Sequence, residues 1–395
     1  MITTGVLGGR WRASVTPWGG VEPWNGDAEC QWHIAADDRW HSPQQEPAVR
    51  QRRIDGTAVA ETRVRIPEGD AVQRVYSVAD YGGLTVIEVE NASPLPIAVA
   101  FTRGDLLTMR PPTAPIEGIE LPSGSIAFPV GHRATIAVAI PHSSSTINVL
   151  PPLPPVAGVV RGWLATAHRA GRFLLPDPAL SDRVVAERCE LALAGPASPD
   201  DDPVGFLLGV AQLVRIGEPA DPWLPDVARA LESAARSAPR DWSLTAAIDG
   251  ADRVMALAGD GRAQKDLAAM RKLVTSGSDS GSAAPFGLES VPTDGGRFLA
   301  WVEAALVGDG GRLLPFGMPT GWMGANFEVY GLSTGAGGEV SFAIRWHGDR
   351  PAVLWEQQGE PCVLTAPVLA PGWSTSDTKG ETLWPVPPSS VAESV

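Results

Sequence analysis

Trp322 and Asn326 are the residues of this sequence best suited to grip a small polar ligand. They share a short loop, GWMGAN, in which Gly321 and Gly324 place no side chain between a ligand and the backbone. An asparagine amide offers a donor and an acceptor together, the combination a sugar hydroxyl needs, and an indole offers a flat apolar face. Trp346, at the end of the strand pattern that follows the loop, completes the ligand-binding candidates. The structural alternative for Trp322 is an indole that pins the loop onto the protein core.

Other site chemistries lack their residues. Of six histidines, three stand beside tryptophans, at Trp32-His33, Trp40-His41 and Trp346-His347, and none has a partner at the i, i+4 spacing of a helical zinc motif. No metal site is expected. His168 lies near Arg161, Arg169 and Arg172, which suits a cap or an ion pair better than proton transfer. No GxxxxGK[ST] loop occurs, and the glycine-rich run from Gly331 to Gly338 opens a strand rather than a helix, so it does not cradle phosphate. Cys30, Cys189 and Cys362 are odd in number and far apart, which fits small buried hydrophobes and neither a disulfide framework nor a metal knuckle. Nothing calls for a cofactor.

The elements that must position these residues change along the chain. From Gly5 to about Asn148 apolar residues alternate at period two, as in Thr62, Val64 and Ile66, in Ile97, Val99 and Phe101, and in Ile136, Val138 and Ile140. Turn signals at Asp55-Gly56, Gly82-Gly83 and Ser123-Gly124 separate them, and Asn91-Ala92-Ser93 reads as another turn. Residues 1–150 are therefore expected to form an antiparallel β-sandwich. Five tryptophans fall in its first forty residues, Trp11, Trp18, Trp24, Trp32 and Trp40, either plugging the sandwich or stacking on sugar faces. The proline-rich stretch at 151–158 marks a boundary.

Over 159–312 the period becomes helical. Phe206, Leu207, Val210, Leu213 and Val214 share one face, as do Leu224, Val227 and Leu231, then Leu244, Ile248 and Met255, then Phe298, Val302 and Leu306. Asp177-Pro178, Asp202-Pro203 and Asp221-Pro222 each place a capping carboxylate before a first-turn proline. Six or seven helices result, with a flexible Ser/Gly break at Ser276 to Ala283. Strands return in 313–395, where Val340, Phe342, Ile344 and Trp346 alternate with Ser341, Ala343 and Arg345, and a Pro/Ser-rich tail follows Trp384. The expected fold is α+β and multidomain: a β-sandwich, a helical region and a small C-terminal β-module.

Composition bounds the partners. With 44% hydrophobic and 19% charged residues the 395-residue chain is a folded protein with room for two or three domains. A net charge of −14 repels polyanions, and the longest basic run is Arg50 to Arg53, read as a solvated strand face, so nucleic acid is not an expected partner. No apolar run approaches a membrane span, and MITTGVLGGRWRAS lacks the apolar core of a signal peptide, so no membrane partner and a cytoplasmic location are expected.

The order of sandwich, proline-rich linker, helical pairs and short β-module resembles the glucoamylase-like and related (α/α)-barrel glycoside hydrolases. The resemblance rests on Leu313-Leu314-Pro315, Gly321-Trp322-Met323-Gly324, Glu339 to Trp346, and the closing Leu364-Thr365-Ala366-Pro367 with Trp373-Ser374. It implies a partial α/α toroid holding a sugar site, truncated because a full ring of twelve helices requires on the order of 200 residues or more. Hydrolysis of a glycosidic bond uses two carboxylates, one as acid and one as base or nucleophile. The acids in helix-to-helix loops or near aromatic platforms are Glu289, Asp294 and Glu328, with structural alternatives as solvated loop, helix cap and outward strand residue respectively. No catalytic signature of those families is present. The resemblance implies a non-catalytic or degenerate relative that binds a saccharide or a protein partner; the alternatives are an active intracellular glycoside hydrolase, or an assembly protein whose tryptophans bury a homo-oligomer interface.

Overall fold

The structure, a computed structural model, describes residues 1–113, 116–142, 147–275, 291–335 and 337–387. Strands come first, helices follow and strands return, giving a mixed α+β chain with seven α-helices among the described residues. Its sheets are antiparallel apart from one parallel pairing, Arg312 with Thr365. The chain divides into two compact units, one of Met1–Ala165 with Ala192–Ala194 and one of Thr166–Leu191 with Gly195–Val395. The Ser/Gly stretch at 276–283 and Glu289 lie outside the described residues. No described helix is long and apolar enough to cross a membrane.

In the first unit three sheets feed one apolar core. Gly69–Val78 and Leu84–Asn91 form the centre of a six-stranded sheet, and Ile97–Phe101 and Trp32–Ala35 the centre of a four-stranded one. Ile2–Gly5, Arg12–Val15 and Val21–Pro23 make a third sheet of three strands. Period-two alternation delivers Val64, Ile87, Val99, Phe101, Phe128 and Ile136 to a common interior. Burying each such side chain stabilises the unit by about 1.5–3 kcal/mol.

Several charged side chains of this unit are paired with one another. The arginine run is the edge strand Arg50–Arg53, whose charges discourage pairing with another sheet. Glu61, on the neighbouring strand, is buried, and Arg52, Arg63 and Arg74 hold its carboxylate at 2.9, 3.1 and 3.1 Å. The early tryptophans are also tied in. Trp18, Trp32 and Trp40 donate to Gln31 Oε1, the Trp18 carbonyl and the Glu117 carbonyl, and Trp11 is buried; Trp24 is 51% exposed.

His142 ends a buried chain of hydroxyls. Thr4, Ser77 and Thr85 link through Oγ contacts of 3.0 and 2.8 Å, and Thr85 Oγ1 meets His142 Nε2 at 3.0 Å. The imidazole stacks on Trp11 with centroids 4.2 Å apart. Gly83, at φ +99°, leaves room for the ring, since a Cβ there would meet His142 Nδ1 at 2.4 Å. Burial, reinforced by the Arg12 charge, pushes the His142 pKa from 6.5 down to about 4. The folded state therefore holds the ring neutral while the unfolded chain takes up a proton below 6.5. The stabilisation is complete above that pH, and about 3 kcal/mol of it is lost as pH falls towards 4. Denaturant titrations between pH 4 and 7 should show a shallower acid loss in His142→Gln than in the parent; equal slopes would assign the loss to other groups.

The second unit is built on one apolar helix. We label the chain's helices α1 (Val156–Ala167), which falls in the first unit up to Ala165, then α2 (Pro178–Ala194), α3 (Pro203–Arg215), α4 (Leu224–Ser237), α5 (Trp242–Leu257), α6 (Gly261–Thr275) and α7 (Gly295–Leu306). α3 is buried from Val204 to Val214 and packs against α4, α5 and α7. Asp177, Asp202, Asp241 and Asp294 accept from first-turn amides of α2, α3, α5 and α7, each cap contributing about 1 kcal/mol. Asp221 instead begins a short 3-10 turn before α4 and makes no side-chain cap. Gly296 lets α7 approach α3 closely, because a Cβ there would sit 3.0 Å from the Gly205 carbonyl and 3.1 Å from the Gly209 amide. The later strands belong to this unit, with Phe327–Gly335, Gly338–His347 and Arg350–Gly359 forming an antiparallel meander.

Candidate functional site

Glu303, on α7, is the hub of a polar cluster inside the second unit. Arg215, from the end of α3, reaches both of its oxygens at 2.6 and 2.7 Å. Gln212, one turn earlier on α3, donates to Oε1 at 2.9 Å, and Arg188 of α2 approaches the same oxygen at 3.3 Å. Arg188 is 1% exposed, and its terminal nitrogens also donate to the carbonyls of Ala167, Ala170 and Gly171. Burial brings the Arg188 pKa down to about 10, with the Glu303 charge opposing that shift. Burial alone would raise the Glu303 carboxyl, but Arg215, Arg188 and Arg253 together hold it below the usual carboxylate range.

A cavity of about 530 Å³ opens beside this cluster. Glu303 and Gln212 line it together with Arg253 and Asp249 of α5, and with Trp301, two residues before Glu303 on α7. Trp242, at the first position of α5, presents a partly exposed indole, and Ser333 and Thr334 add hydroxyl-bearing side chains from the first strand of the meander. Gln212 Oε1 and Thr334 Oγ1 are buried and make no hydrogen bond to protein. Ser333 falls in GLSTG, which has the spacing of a nucleophile elbow, but the segment runs on as a strand paired with Gly338–His347 and makes no turn into a helix.

Two carboxylates of the cavity share one guanidinium. Arg271 contacts Asp249 Oδ1 and Asp309 Oδ2, each at 3.1 Å, so those oxygens lie within about 9 Å of each other. Burial pushes the Asp249 carboxyl up to about 6; the Arg271 charge resists this and the Asp309 charge adds to it. Asp309 is exposed. The carboxyl of Asp249 thus titrates closer to neutrality than an ordinary aspartate, the direction a general acid needs.

The residues singled out from the sequence stand elsewhere. Trp322 is 5% exposed, with its ring edge-on to Phe327 at 5.3 Å. Asn326 and Trp346 are brought together: Asn326 Oδ1 accepts from the Trp346 amide at 2.9 Å, and the indole donates to the Ala325 carbonyl at 3.0 Å. Glu328 accepts hydrogen bonds from Tyr330 and Arg345, which hold its carboxyl below the usual range. Asp294 caps α7 and contacts Arg297 at 2.8 Å. None of these five lines the cavity. Of the cavity residues, Gln212 carried a signal in the sequence, as a polar side chain inside the apolar run GFLLGVAQLV. Among the described residues no group of acidic, histidine and cysteine side chains could hold a metal ion.

The first unit has a smaller cavity of about 340 Å³, lined by Asp38, Arg39, His41 and Glu46 among others. These charges are paired with one another, Arg39 to Glu46 at 2.6 Å and His41 to Asp38 and Glu46 at 3.0 and 3.1 Å. No protein-family model matches the chain, and comparison with curated proteins finds no significant match.

Proposed function

We propose that this protein binds a saccharide in the cavity beside Glu303, as a non-catalytic or degenerate relative of the (α/α)-barrel glycoside hydrolases. In this reading the strands of the first unit are a β-sandwich, the helices of the second unit are a partial toroid with the final strands as its β-module, and the ligand is an intracellular sugar. The observation that carries it is the lining: one cavity holds the partly exposed Trp242 together with the half-buried Ser333 and Arg253, an apolar ring among polar side chains. A flat apolar ring among hydroxyl-bearing and charged side chains suits a pyranose, whose faces are apolar and whose rim is hydroxylated.

A panel of mono- and oligosaccharides titrated calorimetrically tests this. At least one should bind the parent protein, and Trp242→Ala should weaken it about tenfold or more while leaving the melting temperature nearly unchanged, because the ring is only partly buried. No binding by any sugar, together with a dimer that buries Trp24, would assign the chain to assembly instead.

One observation favours hydrolysis as a second reading. Asp249, with its raised carboxyl, and the exposed Asp309 share Arg271 in the same cavity, an acid and a base in unlike surroundings. Release of reducing ends from the bound oligosaccharide, abolished in Asp249→Asn, would select this reading; intact oligosaccharide would select binding alone.

A further inference from the structure

The cavity's carboxylates are committed to partners, whereas of its guanidiniums only that of Arg271 meets a carboxylate among the described residues; Arg240 and Arg312 are exposed to water, and Arg253 is the partly buried one. Both oxygens of Glu303 are taken by Arg215, with Gln212 and Arg188 on Oε1 as well. Asp249 and Asp309 are held by Arg271, and Asp241 caps α5. Arg253 lines the same cavity, partly buried, with no carboxylate within ion-pair distance and no hydrogen-bond partner among the described residues. Glu303, Asp249 and Glu339 act on it only at longer range, and the Arg215 charge works against it. A guanidinium withdrawn from water is costly unless an anion or hydrogen-bond acceptors meet it.

We propose that the saccharide is an acidic one, bearing a carboxylate as a uronic acid does, and that this carboxylate pairs with Arg253 inside the cavity. The inference rests on the saccharide reading above and narrows its ligand class. A planar guanidinium matches a carboxylate with two parallel N–H donors. Trp242 and Ser333, which line the same cavity and are only half-buried, remain for the sugar's ring and hydroxyls. The chain's net charge of −14 repels long polyanions, so a monosaccharide or short oligosaccharide is the expected size.

The test compares each sugar with its own uncharged form. Glucuronate- and galacturonate-containing disaccharides, and the methyl ester of each, are titrated into the full-length protein by calorimetry. The acid of one pair should bind at least about tenfold more tightly than its ester. In Arg253→Met the ratio should fall to about one, and Arg253→Lys, which restores the charge without the planar fork, should recover part of it. Melting curves of both variants establish that they are folded.

Equal affinity for acid and ester in the parent protein would overturn the acidic-ligand inference while leaving saccharide binding in place. So would a ratio that survives in a folded Arg253→Met, or inorganic phosphate binding as tightly as the uronide. No binding by either form or by any neutral sugar would overturn the saccharide reading itself and this inference with it.

Discussion

Replacing Glu303 by alanine is expected to destabilise the second unit by about 3–5 kcal/mol, enough to bring a protein of ordinary stability close to unfolding at room temperature. The loss arises less from the contacts removed than from the charges left behind. Arg188 is 1% exposed, its side chain points into carbonyls that cannot neutralise it, and the Arg215 side chain is nearly as well buried. Without Glu303 two buried guanidiniums face each other, with Arg253 close enough to add to the repulsion. Glu303→Gln should lie between parent and alanine variant, since its amide oxygen can still accept hydrogen bonds while the charge is gone. The double variant Glu303→Leu with Arg188→Met should regain part of the loss, because charge and counter-charge leave together. Urea unfolding of the four proteins measures these differences. A loss below about 1 kcal/mol for Glu303→Ala would place the cluster in the range of solvated surface pairs.

Trp322→Ala is expected to cost a similar amount, about 3–5 kcal/mol, for a different reason. The indole is 5% exposed and sits edge-on against Phe327, whose ring in turn meets Phe342 at 6.2 Å. Truncation leaves a large void beside two aromatic rings held by the meander, and close-packed surroundings collapse into such a void only in part. Saccharide affinity of the folded variant should match the parent, since Trp322 does not line the cavity. The opposite pattern, unchanged stability with lost affinity, would return the GWMGAN loop to the binding site.

That loop marks the limit of what the sequence discloses. A tryptophan between glycines reads equally as a ligand platform or as an anchor, and what separates the two is whether Phe327 and Phe342 turn their rings towards it, a matter of tertiary packing. Local signals were legible. Asp177 and Asp202 read as caps from the prolines that follow them, and Val340, Phe342 and Ile344 read as one strand face from their alternation; all three face inward. Asp221 carries the same Asp-Pro signature as the two caps, yet a 3-10 turn there puts its carboxylate out of capping geometry.

The cavity was not legible, because Gln212, Arg253 and Glu303 come from three helices and acquire meaning only when α3, α5 and α7 pack together. Glu61 teaches the same lesson in the first unit: period two assigns it to the polar face, and it is buried because three arginines on its own and adjacent strands close over it.

The most direct test of saccharide binding beside Glu303 is a crystal structure of the protein soaked with the tightest-binding uronide disaccharide. The expected result is sugar density in the second unit's cavity, with a ring against Trp242 and the carboxylate on Arg253. Sugar ordered elsewhere, along the loop of Trp322 and Asn326 or on the first unit, would contradict it.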